Sequence, residues 1–296
     1  MCGIGAGVVA PAPELSFVSK TPVMASLDAK NTFGFVAGSL AIDCCIDMAS
    51  TYGIGMVSVE HSNHFGMGAT YVLRAVKQGY ASFAFTNASR AMPPWGGAEA
   101  LLGTSPFAVG VPGGSEGDFI LDMSPCVAAW GKMRKAARRG EAIPEGYALD
   151  CDGKPTTDPV KALSGWGSCP PRSGLAMIYD DGHVCRRDER LGVCWRRQYK
   201  NMDEAQNVGH RFLVFRPEVF LDGDAEEFRQ RMDVLLRKVK GVRRAKGCDR
   251  IYVSGELEVE AEARREGGIP LSQGEIDSLH ELAQKSGVEA RLQPKK

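Results

Sequence analysis

The sequence lacks an excess of either charge: 36 Lys+Arg balance 36 Asp+Glu. That argues against a general binder of nucleic acid or anionic membrane, which carries a basic surplus. No apolar run is long enough to span a bilayer, so no membrane segment is expected. The apolar start MCGIGAGVVAPAPELS has no basic stretch before it and makes a poor secretory leader. There is no CxxC pair and hence no zinc framework. The nine cysteines (2, 44, 45, 126, 151, 169, 185, 194 and 248) are an odd, irregularly spaced set, and the adjacent Cys44 and Cys45 cannot share a partner. This is reduced, intracellular usage, and a cytoplasmic protein is expected. A dinucleotide fingerprint is also missing: Gly3, Gly5 and Gly7 have the wrong spacing and no strand before them.

What is present is a chain of 296 residues and 31.9 kDa, 44% hydrophobic. That excludes disorder over the whole length and allows one large domain or two ordinary ones. Charge is uneven, with only 5 basic and 9 acidic residues in 1–130. Helical spacing of apolar residues runs over 37–51 with Gly53 as its stop, and again over 67–79 with Gly79 as its stop. Strands are expected at 55–60, 81–87, 106–112 and 118–123, and within 211–220. Ser124 and Pro125 read as the cap and first turn of a helix over 124–140. Amphipathic helices follow at 226–241 and 274–287, the latter with Ser272 as a candidate cap.

Three places could carry chemistry. The turn HSNHFG (61–66) holds two of only five histidines at the end of a strand. Imidazole exchanges a proton near neutral pH, so one of them is a natural general acid or base. Two partly exposed loop histidines, or a metal site that would need further ligands, are the other readings. TNASRAMPPWGG (86–97) with LLGTSPF (101–107) is a small-residue stretch after a strand, where Gly96, Gly97 and Gly103 permit close approach to a cofactor or to another backbone. Asp122 and Ser124 stand at a strand-to-helix junction whose free N–H groups could hold a phosphate, or which is an ordinary cap.

Taken together, GIGMVSVEHSNHFG, FTNASRAMPPWGGAEALLGTSPFAVGVP, ILDMSPCVAAWGK, DGKPTTDP, YKNMDEAQNVGH and GIPL resemble the malate/L-lactate dehydrogenase family of the second type, in family order over about 20–165 and 199–271. The resemblance implies an α/β (α+β) fold that is not a Rossmann fold. It has a mixed-sheet nucleotide-binding domain over 20–165, a remnant segment over 1–19, and a mostly helical domain over 166–296. It implies hydride transfer between NAD or NADP and a small 2-hydroxy or 2-oxo acid. It places His64 on the family's proton donor and acceptor, and Ala88, Ser89, Asp122, Met123, Ser124 and Arg172 on cofactor-contacting positions. A homodimer with sites near its interface, and no nucleic-acid or membrane partner, go with it.

Two departures accompany the resemblance. The family's N-terminal Ser-His-Gly…Arg segment, whose arginine holds the substrate carboxylate, has no counterpart in 1–20. Around 168–198 the family's glycine-rich segment and small apolar helix are replaced by GWGSCPPRSGLAM and DGHVCRRDERLGVCWRRQ. Reading the codons of Cys185 to Gln198 one nucleotide later permits AGVMSGSAYAGGV, a family-like string, so a frame-shifted stretch is one expectation. The seven charges in 186–197 would resist burial, and 181–198 is expected to be poorly packed. A catalytically inactive nucleotide-binding or dimerising remnant, and a metal hydrolase built on His61 and His64, are the other functional readings.

Overall fold

The computed structural model describes residues 7–88, 90–128, 130–164, 167–168 and 205–288. Two compact units are present, Met1–Lys238 and Val239–Lys296.

The first unit is built on a seven-stranded sheet. Its strands are β1 (Phe17–Thr21), β2 (Met24–Asp28), β3 (Ile54–Ser62), β4 (Ala81–Thr86), β5 (Phe107–Val111), β6 (Phe119–Met123) and β7 (Val208–Phe215). The order across the sheet is β1-β2-β3-β7-β4-β5-β6. Only β2 and β3 run parallel, and every other pairing is antiparallel, so the sheet is mixed. The strand that completes its centre, β7, comes from the chain beyond residue 165 and inserts between β3 and β4.

Helix α1 (Gly34–Tyr52) covers this sheet. Its buried face of Ala37, Ala41, Ile42, Cys45 and Ala49 joins Val57, Val59, Phe212 and Val214 in one core cluster. The approach is close at Gly55, where an added Cβ would meet the Cys45 carbonyl oxygen at 2.4 Å. By length and composition α1 could cross a membrane, but eight of its residues are buried in this core. Gly53 ends it in the left-handed conformation at φ 82°, its N–H donating to the Ala49 carbonyl. Helix α2 (Ala69–Val76) packs on the sheet next to β4 and β5.

Helix α3 spans Trp130–Arg139, not 124–140. Ser124 does not cap it: its hydroxyl donates to the Thr104 carbonyl at 2.7 Å and closes a local turn with the Cys126 N–H. The cap signal of Ser-Pro is spent on a neighbouring loop. A short helix α4 (Pro159–Ser164) follows, and α5 (Ala225–Lys240) comes after the sheet is complete. Asp233 on α5 accepts the N–H groups of Gly114, Ser115 and Glu116 and the Ser115 hydroxyl, which ties the β5–β6 turn to the helix.

In the second unit Glu256 opens α6 (Glu256–Arg264) and pairs with Lys240 at 2.9 Å and Arg250 at 3.2 Å. Helix α7 (Gln273–Lys285) begins with the expected Ser272 cap, here a full capping box with Glu275.

Candidate active site

The strand β3 does not stop at residue 60 but continues to Ser62. Along its pairing with β7, Val208 faces Ser62 and His210 faces Val59, so the one residue between them on β7 is opposed by two on β3, Glu60 and His61. The additional residue lies on β3, where His61 takes φ 51°, a strained value outside glycine. This bulge re-aims the chain just before Asn63 and His64. Asn63 is buried and its Nδ2 donates to the carbonyls of Asn31 and Thr32, pinning the turn to the segment ahead of α1. The first residue of α1, Gly34, lies against the same turn, and a Cβ there would stand 2.6 Å from the His64 carbonyl oxygen.

The next residue, Phe65, anchors the turn in the core. Its ring stacks on Tyr71 at 5.0 Å and on His210 at 4.7 Å, and the Tyr71 hydroxyl donates to the Phe65 carbonyl. Burial pushes the Tyr71 phenol up to about 12, so it stays a donor. His64 itself keeps contact with solvent. Its Nδ1 accepts the Gly66 N–H at 3.0 Å, which assigns the proton of the neutral ring to Nε2. Burial of the groups around it lowers its pKa below the usual 6.5.

A cavity of about 110 Å³ opens beside this ring, lined by His64, Phe65, Gly66, Thr86, Asn87, Ala88, Thr104, Pro106 and Val208. These come from the carboxyl ends of β3 and β4 and the starts of β5 and β7, which antiparallel pairing brings to one end of the sheet's central strands. Two further strained residues flank it, Ser105 at φ 32° and Asn207 at φ 53°. Strain of this kind collects where a site over-determines its backbone. Asn87 is buried; its Oδ1 accepts the Gly209 N–H, while Nδ2 has no partner among the described residues.

The residues expected from sequence are distributed unevenly. His64 and Ala88 line the cavity. Ser124 stands behind its wall, bonded to Thr104. Asp122 lies elsewhere: its Oδ2 accepts the Ala69 N–H at 2.7 Å and caps α2, and Met123 pairs with Phe107 across β5 and β6. Ser89, Arg172 and the stretch 181–198 lie outside the described residues. The two histidines of the turn have separate partners. His61 Nδ1 lies 3.0 Å from Asp28 Oδ1, away from the cavity-lining set. Phe65, Asn87, Thr104 and Val208 were not singled out from sequence. Asn87 and Val208 sit inside the stretches TNASRAMPPWGG and YKNMDEAQNVGH, which carried that signal.

The sequence pattern of malate/L-lactate dehydrogenase matches residues 2–280. The chain belongs to the malate/L-lactate dehydrogenase family. It is 34% identical to the L-sulfolactate dehydrogenase of Methanocaldococcus jannaschii over 95% of this chain and 81% of that one. It is 33% identical to the malate dehydrogenase of Pyrococcus abyssi over 97% and 81%, and 31% identical to the NAD(+)-dependent ureidoglycolate dehydrogenase of Escherichia coli over 82% and 70%. The solved structure of the M. jannaschii sulfolactate dehydrogenase superposes with a TM-score of 0.86, covering 97% of this chain and 83% of that one at 32% identity. The malate dehydrogenase of Entamoeba histolytica superposes at 0.85, over 98% and 84% with 27% identity. As a member of this family the chain is an oxidoreductase of the malate/L-lactate dehydrogenase type. The relatives it resembles are dehydrogenases of sulfolactate, malate and ureidoglycolate, the last of them NAD(+)-dependent.

Proposed function

We propose that His64 is the group that exchanges a proton with the C2 oxygen of a 2-hydroxy or 2-oxo acid seated in the cavity beside it. The observation that carries this is the position of His64: it is the one titratable side chain among the described cavity-lining residues, and it is kept neutral by its surroundings. NAD(P), when bound, supplies the hydride for reduction or takes it in oxidation. In the reductive direction the Nε2–H donates to the carbonyl oxygen and stabilises the negative charge that develops there. For this step the ring takes up one solvent proton at Nδ1 and releases the Gly66 N–H, so that loss of the Nε2 proton to the oxygen leaves a neutral imidazole. Carbonyl, hydride and one solvent proton together give the alcohol. The ring is neutral before and after. Oxidation runs the same proton path in reverse.

The cavity wall suits the nicotinamide end of such a cofactor. It offers neutral hydroxyl and amide groups, and the Asn87 side-chain amide, held by the Gly209 N–H at its Oδ1, has an N–H donor of the kind a carboxamide oxygen requires. Gly66, at φ 83° with no heavy atom within 4 Å of where a Cβ would stand, leaves room beside His64. The cofactor is taken to run along Asn87 and Ala88, with Ser124 behind this wall. Ser89, Asp122, Met123 and Arg172 are cofactor contacts on the family resemblance alone. The nucleotide-binding domain is taken as 20–165 completed by β7, with 1–19 before it and a mostly helical remainder.

The working assembly is a homodimer in the reducing cytoplasm. Support for the dimer comes from α6 and α7, which bury none of their residues and expose Leu257, Val259, Leu279 and Leu282. Support for the compartment comes from Cys44, Cys45, Cys126, Cys151 and Cys248, all free thiols. The test is direct. Purified protein is mixed with NADH or NADPH and pyruvate, oxaloacetate or a cyclic imine. Oxidation of the cofactor upholds the reading, and cofactor binding without turnover with any of these rejects it.

A further inference from the structure

A second histidine lies beneath the site and does not touch the cavity. His210 on β7 is 2% exposed, and both of its ring nitrogens are engaged. Nδ1 lies 2.8 Å from the Thr86 hydroxyl and Nε2 lies 2.9 Å from the Ser62 hydroxyl. Ser62 ends β3 two residues before His64, and Thr86 ends β4 one residue before Asn87. The Phe65 ring lies flat on the His210 imidazole, with an interplanar angle of 9°. A single buried ring thus fastens three things at once: the end of the strand that delivers His64, the end of the strand that delivers Asn87 and Ala88, and the side chain that roots the His64 turn.

The hydrogen bonds have a consistent direction. The Thr86 hydroxyl is also within 3.1 Å of the carbonyls of Asn87 and Gly209 and donates there. It must then accept from His210 Nδ1–H, which leaves Nε2 to accept from Ser62. An apolar ring of the same shape would fill this space and bury the same area, but it would break the bridge between Ser62 and Thr86 and leave each hydroxyl only its backbone carbonyls. Simple packing therefore does not call for histidine here.

We infer that His210 is a positioning residue for the proton and hydride transfer: through Ser62 and Thr86 it sets the separation between His64 and the Asn87–Ala88 wall. The inference rests on the reading of His64 and of that wall given above. A displacement of about 1 Å between reacting groups can cost about 10²-fold in rate, so the effect falls on turnover more than on substrate binding.

The test compares His210→Phe with His210→Gln. His210→Phe keeps the stack on Phe65 and loses both hydrogen bonds, whereas His210→Gln restores a polar arm. Wild-type turnover and its loss in His64→Gln are measured first, because these decide the underlying reading by themselves. On that background His210→Phe is expected to stay folded and to lose kcat by up to about 10²-fold with a much smaller change in KM. His210→Gln is expected to recover part of it. A folded His210→Phe with wild-type kcat overturns the inference, as does a loss confined to melting temperature. Should His210→Phe not fold, Thr86→Val and Ser62→Ala cut the two arms singly. Lowered kcat in either folded variant supports the role, and wild-type kcat in both overturns it.

Discussion

Gly66 donates its N–H to His64 Nδ1 at 3.0 Å. The contact is local, two residues apart, yet it decides the chemistry of the ring. A charged imidazolium needs a proton on Nδ1, and that proton would point at another N–H. Burial acts in the same direction, since it lowers the pKa of His64 below 6.5. The ring is held neutral, with its Nε2–H as the group available to a substrate oxygen.

This fixes a pH dependence. Oxidation of the hydroxy acid requires a neutral ring with a bare Nε2, the tautomer in which Nδ1 carries the proton and the Gly66 contact is released. The folded protein binds a second ring proton less readily than a free histidine does. Activity in that direction is expected to hold as pH falls to 6.5 and to decline only below it. A kcat/KM profile against pH checks this; an acid limb centred above 6.5 would contradict it.

The glycine at the start of α1 carries a second expectation. Gly34→Ala drives a methyl group into the Asn63 and His64 carbonyls, backbone that cannot move aside cheaply. We expect a loss of about 1–3 kcal/mol in denaturant-induced unfolding, and lowered turnover in the molecules that remain folded. Gly66→Ala meets no neighbour but must hold φ 83°, so it is expected to show backbone strain without a collision.

Asp233 gives a stability prediction far from the site. Its carboxylate accepts four hydrogen bonds from the β5–β6 turn, first among them the Glu116 N–H and the Ser115 hydroxyl, and these hold its pKa at about 2 against 3.8 for a free aspartate. A carboxylate with a depressed folded pKa stabilises the fold above its unfolded value, and that contribution fades as pH falls from 3.8 towards 2. Asp233→Asn is expected to melt earlier at neutral pH, with the gap to wild type closing across that window. A gap that persists unchanged at the acid end would contradict this.

Much of this was legible in the residues before any coordinates. The alternation over 55–60, inside the observed Ile54–Ser62 strand, and the small apolar face of α1 read correctly because periodicity reports burial directly. The Ser272 cap read correctly because a capping box is local. Other features were hidden for physical reasons. β1 exposes every residue, and β1 and β2 are only five residues each, so they carry little hydrophobic signal. α6 is charged around its circumference and buries nothing, so no period marks it. The helix expected from Ser124 failed because its hydroxyl accepts the Cys126 N–H of a local turn and donates to the distant Thr104 carbonyl, which holds Ser124 in a loop ahead of α3. The turn of His61 and His64 drew attention because two histidines in one turn are conspicuous, and the family resemblance pointed to His64 of the two. His210 was not, since a histidine in an alternating strand looks like any core position until Ser62 and Thr86 are seen on either side of it.

The central claim is that His64 exchanges the proton at the C2 oxygen. Its most direct measurement is the turnover number of His64→Gln beside wild type, with saturating NAD(P)H and the best 2-oxo acid. The substitution falls on an exposed side chain and leaves the Phe65 anchor in place. A drop of about 10²–10⁴-fold in kcat, with cofactor binding retained, is the predicted result. Equal turnover in the two proteins would contradict the account.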